Sequence, residues 1–94
     1  MIQAAKDANA ILDGFGLAAG GDGRASPVDG SILPGIAESS AAEVEKAIAA
    51  SVRAFQTWRA TPGPVRGELV RRFGEILRAN KEPLGRLVTL ESGK

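Results

Sequence analysis

One glycine-rich segment of the sequence has the letters of a nucleotide-binding loop. The residues from Gly14 to Ala19 read Gly-Phe-Gly-Leu-Ala-Ala, which matches the dinucleotide-binding pattern G-x-G-x-x-G/A. That chemistry requires the glycines to follow a strand and to open a helix, whose N-terminal amides hold the pyrophosphate. Here a helical pattern precedes the glycines, and no strand–helix–strand unit joins them to Glu38, the candidate ribose-binding carboxylate. The context therefore favours a linker over a nucleotide loop.

Two other patterns that could carry chemistry fail on their spacing. Gly93-Lys94 resembles the end of a phosphate-binding loop, but Val88 stands where that loop needs its first glycine. Glu43 and Glu45 are two residues apart in a predicted helix, so their carboxylates do not face each other and form no acid–base pair. Neither pattern predicts a catalytic or binding residue.

Arginine side chains in the second half of the sequence could contact phosphate groups. They interleave with glutamates, which dilutes the positive field, and no aromatic side chains are interleaved for stacking on bases. A solvated helix surface is therefore a better interpretation than a nucleic-acid site. The arginines are Arg66, Arg71, Arg72, Arg78 and Arg86, and the glutamates are Glu68, Glu75, Glu82 and Glu91.

Cysteine and histidine, which carry much of protein chemistry, do not occur in the sequence. Their absence excludes disulfides, thiolate metal sites, a cysteine nucleophile and the usual neutral-pH base from these 94 residues acting alone. We accordingly predict no catalytic, no cofactor-binding and no metal-binding residue in this chain.

The composition predicts a weak core. The apolar content is 44%, but 16 residues are alanines, each of which buries little area. A chain of this length makes only a marginal core, so we expect it to dock onto something larger. The net charge of +1 divides into −4 for residues 1–50 and +5 for residues 51–94. No membrane-spanning run and no secretory signal are recognisable, so we expect a cytoplasmic location.

The first 38 residues predict a helix, a linker and a hairpin. Helical spacing over residues 1–13 is followed by a glycine-rich linker at 14–23 and by a β-hairpin at 24–38. The turn of this hairpin is Pro27-Val28-Asp29-Gly30, and Pro34 must lie at a sheet edge or a bulge because it has no amide hydrogen to donate. The positions that repeat at helical spacing are Ile2, Ala5, Ala8, Asn9 and Leu12.

Three amphipathic helices are predicted after residue 40. Ser40-Ala41-Ala42-Glu43 is a capping box for the first helix, and Thr61-Pro62 supplies a cap and a first helical residue for the second. Pro83 starts the third helix, and Gly93 caps its end. The stripes are Val44, Ile48, Val52, Phe55 and Trp58; Val65, Leu69, Phe73, Ile76 and Leu77; and Leu84, Leu87, Val88 and Glu91. Helical spacing assigns Phe55 and Trp58 to a core rather than to a pocket.

The order of these segments resembles the N-terminal region of aldehyde dehydrogenases. Phe55-Gln56-Thr57-Trp58 resembles the Phe-x-x-Trp at the end of a helix that follows a hairpin in that family, and Glu91-Ser92-Gly93-Lys94 resembles its Glu-x-Gly-Lys segment. Arg66-Gly67-Glu68 and Leu84-Gly85-Arg86-Leu87-Val88 are most similar to the antiquitin-like branch, the α-aminoadipic semialdehyde dehydrogenases. The resemblance covers about residues 24–94, and Pro34 interrupts a segment that is a regular strand in the family.

This resemblance implies an α/β parent fold and NAD(P)-dependent oxidation of an aldehyde, or a semialdehyde, to a carboxylic acid. In the family a cysteine attacks the carbonyl and a glutamate activates water, and both lie downstream of the Glu-x-Gly-Lys segment, as do the cofactor loops. The resemblance therefore implies that residues 1–94 are the N-terminal part of a nucleotide-binding domain, a fragment that is inactive and binds no cofactor alone. Its expected partner is the remainder of the chain, in a homo-oligomeric parent, with no nucleic-acid or membrane partner.

Two other classes stay open on the residues alone. The chain could be a small helical binding module that binds nucleic acid weakly through the second-half arginines. It could also be a self-standing domain that oligomerises through its helix stripes.

Overall fold

The computed structural model describes residues 3–94, so Met1 and Ile2 of the predicted first helix lie outside the described residues. In chain order the elements are α1 (Ala4–Gly14), β1 (Asp22–Ala25), β2 (Ile32–Pro34), α2 (Ala41–Ala60), α3 (Gly63–Ala79) and α4 (Lys81–Ser92). A mostly helical chain with a small N-terminal hairpin and three helices after residue 40 is thereby confirmed, whereas the α/β fold of a parent protein stays a prediction.

The chain forms two compact units. The first unit consists of the described residues up to Glu38 together with Asn80–Lys94, and the second unit is Ser39–Ala79. The first unit therefore contains α1, the hairpin and α4, and the second contains α2 and α3.

Helix α1 buries part of the predicted set of residues. Its buried residues are Ala4, Ala8 and Leu12, which are spaced four apart, whereas Ala5 is only half-buried and Asn9 is exposed. The prediction was right for Ala8 and Leu12 and wrong for Ala5 and Asn9, because small and apolar residues occur on several sides of this helix and the sequence does not single out one face. Alanine at two of the buried positions removes side-chain bulk and allows the neighbouring elements to approach closely.

The hairpin begins earlier than the glycine content suggested. Strand β1 starts at Asp22 and includes Gly23, so the predicted linker of residues 14–23 is too long by two residues. The strands pair antiparallel, with Asp22 opposite Pro34 and Ala25 opposite Ile32, and the register shifts between these pairs. Because the sheet has two strands, Pro34 lies at a sheet edge, as predicted.

Glycines extend the pairing beyond the two strands. The amide of Gly20 donates to the carbonyl oxygen of Gly35 at 2.7 Å, and the amide of Gly35 donates to Gly21 at 2.8 Å. A Cβ atom at Gly20 would stand 2.2 Å from the backbone nitrogen of Ala37, a distance that only glycine avoids. The glycine-rich segment thus has a packing role at its C-terminal end.

The core of the first unit lies where α1, β2 and α4 meet. Its buried members are Ala4, Ala8, Leu33 and Leu90, with partly buried Ile11 and Leu87 packed against them. The predicted inward face of α4 is wrong in part, because Leu90 is buried and Val88 is 52% exposed. Leu87 and Leu90 are three residues apart, so they share the face that meets α1 and β2.

Local sequence rules define the ends of α2 and α4. The hydroxyl of Ser40 accepts from the amide of Glu43 at 3.2 Å, and the carboxylate of Glu43 accepts from the amide of Ser40 at 3.1 Å, which confirms the capping box. Gly93 adopts φ 77° at the end of α4 and donates its amide to Thr89, which confirms the predicted cap.

The junction between α2 and α3 differs from the prediction by one residue. Thr61 was expected to cap α3, but its hydroxyl donates back to the carbonyl oxygen of Thr57 in α2 at 2.9 Å. The carbonyl oxygen of Pro62 accepts from the amides of Val65 and Arg66, both at 3.1 Å. Helix α3 consequently begins at Gly63, with Pro62 as the residue that precedes it.

The second unit buries none of its helical residues. Phe55 is 55% exposed and Trp58 is 37% exposed, so their assignment to a core is wrong for this chain. The amphipathic pattern does form helices, but a stripe becomes a core only when a complementary apolar surface covers it. The stripe residues of α2 and of α3 thus stay exposed, and these two helix faces are together termed the open apolar surface of the second unit.

Candidate functional site

The glycines of the nucleotide-loop pattern end helix α1. Gly16 has φ 74° and donates its amide to Asp13, and the amide of Leu17 donates to Leu12, both at 2.9 Å. These two bonds form a Schellman motif, in which a left-handed glycine satisfies the last carbonyl groups of a helix. A pyrophosphate site would need free amides that open a helix, so this segment does not fit a dinucleotide.

The hairpin turn caps the start of α1 across a long stretch of sequence. The carboxylate of Asp29 accepts from the amide of Ala4 at 2.8 Å, and the hydroxyl of Ser31 accepts from the amide of Ala5 at 3.1 Å. The same carboxylate accepts from the hydroxyl and the amide of Ser31 at 2.6 and 2.9 Å. These bonds, of which the one from the Ser31 hydroxyl is the strongest cause, hold the pKa of Asp29 below its ordinary 3.8.

Sequence reasoning assigned Asp29 to the turn and missed this second role. One signal was available, because the residue before α1 is Gln3, which is not among the preferred capping residues and makes no side-chain cap bond. A helix start without a local cap requires a partner from elsewhere for its amide groups.

Ser26 connects the hairpin to α4. Its side chain is buried, and its hydroxyl donates to the carbonyl oxygen of Leu90 at 2.5 Å. The Ser26 hydroxyl oxygen also accepts from the amide of Val28 at 3.2 Å, so the hydroxyl acts both as a donor and as an acceptor. Ser26 therefore has a structural role.

Three of the five candidate phosphate-binding arginines, Arg71, Arg72 and Arg86, are engaged with carboxylates. Arg71 binds Glu68 at 2.7 Å and also Glu75, and Arg72 binds Glu68 at 3.3 Å, all on the exposed face of α3. The pair with Arg71, followed by the one with Arg72, lowers the pKa of Glu68. For these residues the predicted solvated face is confirmed. In the first unit, Arg86 of α4 binds Asp7 of α1 at 2.8 Å.

An apolar cleft of about 330 Å³ opens within the first unit between α1, the hairpin and α4. Two charged residues, Arg24 and Glu91, belong to its lining. The apolar side chains in its wall are those of Ala8, Leu12, Leu33, Ile36, Leu87 and Leu90. This composition is suited to packing against an apolar group.

Residues 3–94 contain neither a metal-binding cluster nor a membrane-spanning helix. Within that range no group of three or more acidic side chains is arranged to hold a metal ion. In the same part of the chain no helix is long and apolar enough to cross a membrane.

Comparison with known proteins places the matched region over the hairpin and the three helices that follow it. The aldehyde dehydrogenase family matches residues 23–94, and the chain belongs to this family. It is 44% identical over 69 residues to aldehyde dehydrogenase family 7 member A1 of Pisum sativum, an antiquitin, and 39% identical to the protein of that name from Malus domestica. It is also 41% identical over 69 residues to malonate-semialdehyde dehydrogenase 2 of Geobacillus kaustophilus.

These alignments cover 73% of this chain and 14% of each relative. The resemblance read from the sequence is thereby confirmed. No solved structure matches the chain. Helix α1 precedes the residues that match the family.

Proposed function

We propose that this chain is the N-terminal part of the nucleotide-binding domain of an NAD(P)-dependent aldehyde dehydrogenase, which oxidises a semialdehyde to a carboxylic acid. Support comes from the family match over residues 23–94 and from relatives named as semialdehyde dehydrogenases. In the proposed enzyme NAD(P) supplies the hydride acceptor, and parts of the protein beyond these residues supply the cysteine and the glutamate. The enzyme is proposed to be a cytoplasmic homo-oligomer.

The contribution of these residues is structural, and the open apolar surface of the second unit carries this assignment. Ile48 and Val52 of α2 are 54% and 59% exposed, and Leu69 and Phe73 of α3 are 57% and 61% exposed. A large exposed apolar surface marks an interaction site on a soluble protein. We assign that surface to packing against the remainder of the dehydrogenase chain, and the comparisons give no support to a small binding module.

A chimaera tests this proposal. Residues 23–94 replace the matched segment of the Pisum sativum relative, and aldehyde-dependent NADH formation is measured. A matched control carries the corresponding segment of the Geobacillus kaustophilus relative. We expect both chimaeras to be soluble and active, because the segment supplies packing surfaces rather than reacting groups.

A variant of the chimaera tests whether the open apolar surface is buried in the full protein. Ile48→Asp in the chimaera should abolish activity, since a buried unpaired charge is strongly destabilising. The proposal is wrong if the control chimaera is active and the chimaera with residues 23–94 is not. The 94-residue chain alone should form no NADH from aldehyde and NAD(P).

A further inference from the structure

Three aspartates of the first unit stand directly before a glycine. Asp13–Gly14 ends helix α1 and Asp22–Gly23 begins strand β1, whereas Asp29–Gly30 lies at the turn of the hairpin. A glycine has no Cβ, so it hinders attack of its backbone nitrogen on the preceding carboxyl group less than any other residue does. Both residues of the pair in the turn are exposed, so water reaches the site of such a reaction.

The reaction open to such a pair is the isomerisation of aspartate to isoaspartate. The backbone nitrogen of Gly30 attacks Cγ of Asp29, the N–Cγ bond forms, and the carboxyl hydroxyl leaves as water with the amide proton. Water then opens the resulting succinimide ring. Breaking the N–Cγ bond restores aspartate, whereas breaking the bond from nitrogen to the backbone carbonyl carbon leaves the chain running through the side chain. One water is released and one is consumed, so no oxidant and no other reactant takes part.

The folded hairpin holds both reacting groups of the pair in the turn. The amide of Gly30, which is the attacking group, donates to the carbonyl oxygen of Ser26 at 2.8 Å. One carboxylate oxygen of Asp29 accepts from the amide and the hydroxyl of Ser31, and the other accepts from the amide of Ala4. These bonds, led by the one from the Ser31 hydroxyl, lower the pKa of Asp29, and an ionised carboxylate resists attack because its oxygen leaves as water only after protonation.

We propose that Asp29–Gly30 is a modification site, at which the bonds from Ser31 and from the first amide of α1 hold back isomerisation to isoaspartate. Loss of those bonds frees the carboxyl group to turn toward the attacking nitrogen. Isoaspartate adds a methylene group to the backbone of the turn and carries its carboxylate directly on Cα, so it no longer reaches the Ala4 amide in the same geometry. Modification at this residue therefore removes the cap of α1. This inference does not depend on the proposed enzymatic activity.

Ageing of the whole chain at neutral pH, followed by peptide mapping, tests the site. Trypsin releases residues 25–46, in which Asp29 is the single aspartate. It also releases residues 7–24, in which Asp13 and Asp22 serve as internal references. Isoaspartate keeps the peptide mass but changes its retention, and an isoaspartate-specific methyltransferase labels it. We expect isomerisation at Asp29 to be at least about fivefold slower in the folded chain than in urea, the factor that corresponds to one typical helix cap.

Two substitutions at Ser31 test whether its hydroxyl controls the reaction. Ser31→Ala removes the hydroxyl bonds to Asp29 and to the Ala5 amide, so isoaspartate at Asp29 should form about fivefold faster in the folded chain. Ser31→Thr keeps a hydroxyl and is the matched control, in which the rate should stay unchanged. The two reference pairs should isomerise at their original rates in both variants.

Three results would overturn the proposal. Equal rates at Asp29 in the folded chain and in urea would show that the fold gives no protection. An unchanged rate in Ser31→Ala would show that the hydroxyl bonds have no part in it. Equal acceleration of all three pairs in that variant would show that opening of the whole unit controls the reaction. In the separated isoaspartate form, the Ala4 amide should lose its protection from hydrogen exchange, and retained protection would contradict the loss of the cap.

Discussion

The first and second units differ in the sequence range of the interactions that hold them. In the first unit, bonds join residues up to 79 positions apart, and four apolar residues from three elements are buried together. In the second unit, the side-chain hydrogen bonds span three or four positions within a helix or its cap, and the helical residues stay unburied.

This difference shows that local interactions can form a helix without forming a core. Capping and i, i+4 pairing are enough to define where α2 and α3 begin and which face is polar. An i, i+4 pair contributes only tenths of a kcal/mol and a cap about 1 kcal/mol, so helices of this kind depend on packing against another surface for most of their stability. The first unit has such packing within its own residues, and the second presents its apolar surface outward.

The largest expected effect on stability comes from truncating one large apolar side chain in each unit to alanine. Leu90→Ala should lower the free energy of opening of the first unit by about 2–3 kcal/mol, because Leu90 is 2% exposed and its loss leaves a cavity. Ile48→Ala in α2 should change stability by less than about 0.5 kcal/mol, since Ile48 is 54% exposed. Urea-dependent amide exchange measures both, and equal costs would contradict the contrast between the units.

A smaller effect is expected from removing one hydroxyl in each unit. Ser26→Ala should lower the free energy of unfolding by about 1–3 kcal/mol, because it removes a buried donor to the carbonyl oxygen of Leu90. Ser51→Ala removes an exposed bond to Ala47 inside α2 and should be neutral or slightly stabilising, since alanine favours helix. Thermal unfolding followed by circular dichroism compares the two variants. A larger loss from Ser51→Ala would show that local bonds dominate.

The smallest effect is a difference in acid sensitivity. The lowered pKa of Asp29 means that its cap stabilises α1 at pH values above 3.8, and this stabilisation is lost as the pH falls through the lower folded pKa. Protection of α1 amides should therefore decrease in acid, and Asp29→Asn should remove this dependence. An unchanged pH profile in that variant would rule out Asp29 as its cause.

The pKa of Glu43 gives the matched comparison in the second unit. It is lowered from 4.5, mainly by the bond from the Ser40 amide, so acid should loosen only the first turn of α2. Exchange of the Glu43 and Val44 amides reports this fraying. Loss of protection along the whole of α2 would show that its cap supports more than one turn.

Sequence rules predicted the features that depend on residues within one turn of each other. The capping box at Ser40 and the cap at Gly93 were both predicted and both occur. The family was likewise recognisable, because the order of short motifs along a chain needs no knowledge of their packing. The predicted start of α3 was wrong by one residue, because the hydroxyl of Thr61 donates to the carbonyl oxygen of Thr57 in α2 and does not cap α3.

Local chemistry, readable along the chain, thus defines the helices, the turn and the polar faces, because each depends on neighbours a few residues away. Only the folded chain decides that Asp29 caps α1, that Ser26 binds Leu90, and that the buried face of α1 includes Ala4 rather than Ala5. These features join residues 25 to 64 positions apart or select among several similar helix faces. Spacing along the sequence carries no information about which distant surface a helix will meet, so the long-range partners had to be found in three dimensions.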